Sequence, residues 1–206
     1  MKIKKFSYSP LVLPIIFFGA LIIIGSALLF SVEIDSVNPL SWTDAFFTAT
    51  SAACVTGLVV VDTGTFFTRI GQIIILFLIQ IGGLGIMTFA SLAFYLWRQR
   101  VSFTDRIAVG QSLLHDPAFH LGKFLARLVA WTFLAEFLGA MFLFIQAPNK
   151  FSPFSAIFHA VSAFCNAGFS LFTNSLMDWQ GDWSINIAFI LLIFFGGIGF
   201  SVLVEL

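Results

Sequence analysis

Charged residues are scarce in this sequence. Only 10% of its 206 residues are Asp, Glu, Lys or Arg, whereas 59% are hydrophobic. Soluble domains contain roughly 25% charged and about 45–50% apolar residues. A soluble domain of this length could not bury so much apolar surface, because its surface-to-volume ratio forces polar residues outward. The composition excludes a soluble enzyme and a disordered regulator, and it predicts an integral protein of the lipid bilayer.

Cysteine and net charge are also lacking. Two cysteines, Cys54 and Cys165, are too few for a disulfide framework, and their spacing fits no zinc site. Ten basic and ten acidic residues give no formal net charge, so the sequence has no electrostatic footprint for nucleic acid. We therefore expect neither a nucleic-acid partner nor a cofactor bound by this chain.

Long apolar runs take the place of charge. A membrane-spanning helix needs about 20 predominantly apolar residues. The first such run follows three lysines but has no cleavage site of small residues, so we interpret it as a retained helix. Four segments are predicted to span the membrane: residues 11–32, 70–97, 124–147 and 184–206.

Positive charge is distributed unevenly between the connecting segments. The N-terminal tail and residues 98–127 hold eight of the ten Lys and Arg residues. The two other connections are mainly acidic, with Arg69 and Lys150 as their cations. Because cytoplasmic loops carry an excess of Lys and Arg, this pattern predicts a cytoplasmic N-terminus and a cytoplasmic connection at residues 100–123.

Two further apolar stretches, residues 41–53 and 153–164, are too short to cross the membrane. A helix of either length would reach about 20 Å at 1.5 Å per residue. Each stretch lies between two predicted spans whose adjoining ends are both outside. It must therefore lie on the outer surface or dip into the membrane and return.

An internal repeat favours the re-entrant arrangement. AFFTATSAACVTGL at residues 45–58 matches AIFHAVSAFCNAGF at residues 156–169 at seven of fourteen positions after a shift of 111 residues. After a shift of 114 residues, IGGLG at 81–85 overlies FGGIG at 195–199. We predict two parallel repeats of helix, short helix, loop and helix, at residues 1–99 and 124–206.

The loops at residues 54–58 and 165–169 follow directly from the short helices. A helix C-terminus carries the negative end of the helix dipole, which stabilises a nearby cation. Glycine adopts positive φ at little steric cost, so consecutive carbonyls can turn toward one axis and replace the hydration shell of a cation. The alternative is two tight turns that cap surface helices. The candidate cation ligands, chiefly through backbone carbonyls, are Cys54, Val55, Thr56, Gly57, Cys165, Asn166, Ala167 and Gly168.

Other residues in the predicted spans leave two interpretations open. Glu136 lies in the middle of a span, where a carboxyl group indicates either an ion pathway or a structural hydrogen bond to a neighbouring helix. His159, in the second short helix, is predicted to be a packed, hydrogen-bonded side chain. The small residues of the GGxG motifs are either gating hinges or faces for close helix packing. They are Gly82, Gly83, Gly85, Gly196, Gly197 and Gly199.

These motifs resemble the Trk/Ktr/HKT superfamily of potassium transporters, in particular the membrane subunit of the Ktr type. The resemblance covers nearly the whole chain and rests on TSAACVTGLVVVDTGTFF, GQIIILFLIQIGGLGIMTFASL and FHAVSAFCNAGFSLFTNSL. It implies an all-α membrane protein with four membrane–pore loop–membrane repeats in pseudo-fourfold symmetry around one potassium path. It also implies a bacterial plasma membrane, a homodimeric membrane subunit and a cytoplasmic regulatory ring that binds nucleotide.

Two of these four repeats are present. We interpret the chain as the N-terminal half of a longer pore; the alternative is a pore assembled from two copies. The short segment before the first repeat favours the Ktr type over Trk relatives. The predicted function is potassium uptake through a carbonyl-lined filter, with sodium as a coupling or regulatory ion left open. A non-conducting scaffold or sensor and an intramembrane enzyme are the alternatives.

Overall fold

The computed structural model describes residues 12–34, 39–100 and 121–198. Within these ranges the chain forms six α-helices joined by loops, and a short 3₁₀ turn at Met177–Trp179 precedes the last helix. The helices are α1 (Val12–Glu33), α2 (Trp42–Ala53), α3 (Arg69–Arg100), α4 (Leu121–Gln146), α5 (Pro153–Phe164) and α6 (Trp183–Gly197).

Three of the described helices contain segments long and apolar enough to cross a membrane. These segments are Pro14–Glu33, Arg69–Ile86 and Ala126–Gln146. Helix α6 is apolar but shorter within the described part of the chain. The rest of the span predicted at 184–206, most of the connection predicted at 100–123 and the N-terminal lysines lie outside the described residues.

The short helices α2 and α5 begin in the same way. The Ser41 hydroxyl oxygen accepts a hydrogen bond from the Asp44 N–H (3.1 Å), and the Ser152 hydroxyl oxygen accepts one from the Ser155 N–H (3.2 Å). Serine is favoured at this position because it satisfies one of the backbone donors that a helix start leaves free. The two serines are separated by 111 residues, the shift that relates the two short helices in the sequence.

The long helices pack on each other through a second equivalent pair of contacts. Helix α1 packs against α2 and α3, and α4 packs against α5 and α6. A Cβ atom added to Gly25 would lie 2.7 Å from a methyl of Leu78, and one added to Gly139 would lie 2.8 Å from a methyl of Leu192. Gly139 follows Gly25 by 114 residues, and Leu192 follows Leu78 by 114 residues. The same shift relates the GGxG motifs.

The two halves share part of their core. Helix α3 contacts α5, and the buried cluster of the first half includes Phe158, Val161 and Phe169 of the second. At the start of α3 the Arg69 guanidinium lies 4.2 Å from the centre of the Phe154 ring, a favourable cation–π position. The halves therefore pack as one unit around α3 and α5.

A buried carboxylate joins the ends of two helices in the first half. Glu33, at the C-terminus of α1, is fully buried, and its Oε1 accepts hydrogen bonds from the Thr68 N–H (2.9 Å) and hydroxyl (2.6 Å). Thr68 immediately precedes α3 and its hydroxyl oxygen also accepts from the Gly71 N–H. The free N–H groups at the start of a helix need acceptors, and the Glu33 oxygen supplies one. The contact fixes where α3 begins relative to α1.

Candidate cation-binding loops

Residues 54–58 (the first loop) and 165–169 (the second loop) have the same backbone conformation. Val55 and Asn166 have φ of 57° and 58°, and Gly57 and Gly168 have φ of 76° and 74°. L-residues other than glycine seldom adopt this left-handed region. The positive φ expected at the two glycines is therefore present, and each loop has a second left-handed residue two positions earlier.

Hydrogen bonds at the end of α2 explain the first of these left-handed residues. The Val55 N–H donates to the Ala52 carbonyl (3.2 Å) and the Thr56 N–H donates to the Ser51 carbonyl (2.9 Å). This pair of bonds is the Schellman motif, which satisfies the last carbonyls of a helix by placing the residue after the cap in the left-handed region. The Thr56 hydroxyl adds a bond to the Ser51 side chain (3.0 Å).

The second loop has the same motif at the end of α5. The Asn166 N–H donates to the Ala163 carbonyl (3.0 Å), and the Ala167 N–H donates to the Ser162 carbonyl (2.7 Å). The Ser162 hydroxyl then reaches across the loop to the Phe169 carbonyl (2.6 Å). Each loop is thus held at the helix end by backbone bonds and by one hydroxyl from the last turn of the short helix.

The structure brings the two loops into direct contact at their glycines. A Cβ atom on Gly57 would lie 2.5 Å from the Ala167 carbonyl oxygen and 3.1 Å from the Gly168 Cα. A Cβ atom on Gly168 would lie 3.4 Å from the Gly57 Cα. A side chain at position 57 is disfavoured by the left-handed backbone and would overlap the Ala167 carbonyl.

Two of the GGxG glycines lie against the ends of the short helices. A Cβ atom on Gly82 would overlap the carbonyl oxygen of Ala53, the last residue of α2. A Cβ atom on Gly196 would overlap the carbonyl oxygen of Phe164, the last residue of α5. Gly199 lies outside the described residues. The glycine face of each long helix therefore contacts the last residue of a short helix, immediately before a loop.

The remaining GGxG glycines differ in their surroundings. A Cβ atom on Gly83 would lie 2.6 Å from the Cys165 sulfur, so α3 of the first half lies against the start of the second loop. A Cβ atom on Gly85 would lie 2.9 Å from the Phe17 ring on α1. Gly197 has a single neighbour at 3.8 Å. Apart from Gly197, these contacts favour close packing over a hinge.

Glu136 on α4 lies beside the second loop. Its side chain is 4% exposed, and its Oε1 accepts hydrogen bonds from the Gln80 amide (3.0 Å) and from the Cys165 thiol (3.9 Å). The sequence alone indicates no partner for Glu136, and Gln80 is not among its candidate residues. An amide in the middle of the predicted span 70–97 was the available signal, since polar groups within a membrane seek one another.

His159 is packed and hydrogen-bonded, as predicted. Its Nδ1 lies 2.7 Å from the Ser155 carbonyl oxygen and must donate, because a carbonyl can only accept. Its Nε2 accepts from the Leu171 N–H (3.3 Å) and lies 3.0 Å from the Ser170 hydroxyl. The ring stacks on Phe172 at 4.5 Å. One nitrogen donates and the other accepts, so the imidazole is neutral and holds the segment after the second loop against α5.

The part of the chain that the structure describes contains no candidate metal site formed by side chains. No three His, Cys, Asp or Glu side chains there come close enough together to hold a metal ion. The cysteines are both free thiols, with Cys54 half-buried and Cys165 buried.

A further contact joins the segments that follow the two loops. Asp62 Oδ1 accepts hydrogen bonds from the N–H groups of Gly64 (2.8 Å) and Thr65 (3.0 Å). Burial raises the pKa of Asp62, but hydrogen bonds from the Thr173 hydroxyl, Thr65 and Gly64 outweigh it and hold the pKa below its usual 3.8. A Cβ atom on Gly64 would overlap the Leu171 carbonyl. These contacts fasten the first half to the second outside the loops.

Comparison with known proteins gives the class. The family model described as TrkH, cation transport protein, matches residues 13–206. The chain belongs to the TrkH family of cation transport proteins, and the resemblance drawn from its motifs is confirmed. It is a multi-pass membrane protein with an all-helical fold, from a family of transporters and not of enzymes.

Two individual relatives each match at least 90% of this chain. The chain is 42% identical over 200 residues to the Ktr system potassium uptake protein B of Bacillus subtilis, covering 95% of this chain and 44% of that protein. It is 36% identical over 193 residues to the potassium/sodium uptake protein NtpJ of Enterococcus hirae, covering 90% and 42%. The chain therefore spans less than half the length of these curated relatives.

A solved structure shares the fold. The crystal structure of the potassium transporter TrkH from Vibrio parahaemolyticus superposes with a TM-score of 0.63 at 22% identity. The superposition covers 93% of this chain and 37% of that one.

Proposed function

We propose that the chain supplies two of the four repeats of a pore that takes up potassium across the bacterial plasma membrane. Potassium would shed water at the first and second loops and bind chiefly to their backbone carbonyl oxygens. The observation that carries this proposal is the direct contact of two loops with the same left-handed glycines, each directly after a short helix. The proposed ligands are residues 54–57 and 165–168.

The electrostatics of the loops suit a monovalent cation. Each loop follows a helix C-terminus, where the negative end of the dipole is strongest. Carbonyl dipoles can replace water around potassium without the desolvation cost that a pair of buried carboxylates would add. A cell interior that is negative by 100 mV contributes about 2.3 kcal/mol toward the entry of each positive charge. No covalent chemistry is needed.

The proposal extends to the assembly. The membrane subunit would be a homodimer with its N-terminus in the cytoplasm, beside a cytoplasmic ring that binds nucleotide. The excess of Lys and Arg in the N-terminal tail and in residues 98–127 supports this orientation. The relative from Bacillus subtilis is a potassium uptake protein, which supports potassium as the main ion. The relative from Enterococcus hirae is a potassium/sodium uptake protein, which supports a coupling or regulatory role for sodium.

A non-conducting scaffold or sensor is the second candidate function. It requires the membrane fold but not an open path between the loops. The presence at both positions 57 and 168 of a left-handed glycine shortly after a helix C-terminus disfavours it, because this arrangement suits a cation and a scaffold does not require it in both halves. Rubidium uptake by the complete protein in liposomes separates the two: uptake supports the pore, and its absence with intact protein supports the scaffold.

Substitution of the loop glycines tests the filter itself. In the complete transport protein, Gly57→Ser and Gly168→Ser each place a side chain on a left-handed backbone, at a cost of about 1–2 kcal/mol. We expect the ratio of potassium to sodium flux in liposomes to fall about tenfold, the equivalent of about 1.4 kcal/mol.

Gly181→Ser is the matched control, because Gly181 has no atom within 4 Å of its Cβ position. Its flux ratio should equal that of the parent. An unchanged ratio in both loop variants, at normal uptake, would overturn the filter assignment.

A further inference from the structure

A buried carboxyl group lies behind the second loop with no role in the proposed ligand set. Glu136 projects from the middle of α4, and its Oε1 is the meeting point of two donors from different elements. One donor is the Gln80 amide of α3, in the first half, and the other is the thiol of Cys165, the first residue of the second loop. The carboxyl group therefore joins the two halves at the point where a loop begins.

Packing restricts this contact from the other side. Cys165 is 6% exposed, and its sulfur lies against Gly83, where a Cβ atom would come within 2.6 Å. The sulfur is thus confined between α3 and the Glu136 oxygen. Cys165 is also the C-cap of α5, with its N–H bonded to the Val161 and Ala163 carbonyls, so its confined side chain lies at the residue where the second loop begins.

Stability alone does not account for a carboxyl group here. The second oxygen, Oε2, is buried and has no hydrogen-bond partner in any described residue. Burying an unpaired acceptor costs free energy that an apolar side chain would avoid. The first half has an apolar residue in the corresponding place, since the shift of 114 residues relates Glu136 to Ile22 on α1.

We infer that Glu136 is a positioning residue that sets the second loop for potassium by accepting hydrogen bonds from Gln80 and Cys165. This inference rests on the proposed filter. It makes the second loop depend on a side chain of α4 and on one of α3, whereas the corresponding position behind the first loop is apolar. The inference requires an acceptor oxygen on the side chain at position 136, which the amide of glutamine can also supply.

The test uses three variants of the complete transport protein in liposomes. Glu136→Met keeps an unbranched side chain without the oxygen, Glu136→Gln keeps an acceptor oxygen, and Gln80→Met removes one donor. We expect Glu136→Met to lower the ratio of potassium to sodium flux about fivefold, the equivalent of about 1 kcal/mol. Glu136→Gln should keep the parent ratio, and Gln80→Met should lower the ratio, as Glu136→Met does.

Thr132→Val is the matched control. Thr132 lies one turn before Glu136 and is equally buried, but its hydroxyl makes no hydrogen bond to the described residues. Its removal should leave the flux ratio unchanged.

Two results would overturn the inference. One is a parent-like ratio in Glu136→Met or, if that variant does not fold, in Gln80→Met. The other is an equal loss in Glu136→Gln, which would mean that charge and not the acceptor matters. Gly168→Ser separates the filter assignment from the role of Glu136. A lowered ratio in Gly168→Ser with a parent-like ratio in Glu136→Met rejects only the role of Glu136. An unchanged ratio in Glu136→Met, Gly57→Ser and Gly168→Ser rejects the filter as well.

Discussion

At the scale of single residues, Val55 and Asn166 occupy the same position in two Schellman motifs but differ in how well they suit it. Both are left-handed, with φ of 57° and 58°. Asn adopts this region readily, whereas a β-branched residue pays about 1–2 kcal/mol. Val55 keeps its conformation because the end of α2 and the half-buried packing of its side chain hold it.

Exchanging the two residue types tests this strain. We expect Val55→Asn to raise the free energy of unfolding by up to about 1 kcal/mol, since the relief is partly offset by lost packing. Asn166→Val should lower it by about 1–2 kcal/mol. Thermal unfolding of the complete protein in detergent measures both. Equal destabilisation by the two exchanges would show that the left-handed conformation carries no strain at position 55.

The sequence predicts part of this residue-scale geometry. Gly57 and Gly168 follow helix ends in matching segments, and glycine is the residue that a left-handed position selects, so their positive φ was expected. The left-handed Val55 was not, because its residue type argues against that conformation. It follows from the need to satisfy the carbonyls of Ser51 and Ala52, and only the structure shows how that need is met.

At the scale of helices, the central contacts are those of α3 and α6 with the ends of α2 and α5. Gly82 and Gly196 allow each long helix to touch the last carbonyl of a short helix. The partner in each case is backbone, which cannot move aside as a flexible side chain would. The position of each loop relative to its long helix therefore depends on the absence of one carbon atom.

Adding that carbon should be costly. We expect Gly82→Ala and Gly196→Ala each to lower the free energy of unfolding by about 1–3 kcal/mol, as overpacking does in other cores. Gly19→Ala on α1 is the control: no atom lies within 4 Å of its Cβ position, so better helix propensity should raise stability by up to about 1 kcal/mol. Thermal unfolding midpoints separate these outcomes, and stable Gly82→Ala and Gly196→Ala proteins would contradict close packing.

Helix-level prediction succeeds where the signal is local. The pairs Asn38-Pro39 and Ser152-Pro153 are both candidate helix starts in the sequence. The structure has α5 at Pro153–Phe164, whereas α2 begins later than its candidate, at Trp42 after the Ser41 cap. The partner of Glu136 had no local signal, because Gln80 lies 56 residues earlier on a different helix. Which faces of two helices meet depends on packing of the whole bundle, and a single sequence does not state it.

At the scale of the whole molecule, the two halves are joined outside the loops by Asp62. Its carboxylate receives hydrogen bonds from its own turn and from Thr173 of the second half. The lowered pKa means that folding favours the ionised form. The contribution to stability is therefore present above the usual value of 3.8 and is lost as the pH falls through the lower value of the folded protein.

Asp62→Asn removes this titration and keeps the shape. We expect the parent to unfold at a higher temperature than the variant at neutral pH, with the difference shrinking below about pH 4. Thr173→Val should give a smaller loss of the same sign. A difference that grows as the pH falls would contradict the assignment.

The unequal shifts of 111 and 114 residues have a consequence for how far the chain tolerates changes in length. The connection before the short helix is three residues shorter in the second half than in the first, and the connection after the loop is three residues longer. The end of the short helix and the loop have the same length in both halves. Differences in length are therefore accommodated in the connections and not in the loops. Engineered tags and reporter peptides belong in the connection before a short helix, where the two halves already differ in length, whereas a single residue added between Ser51 and Gly57 would shift the register of the loop.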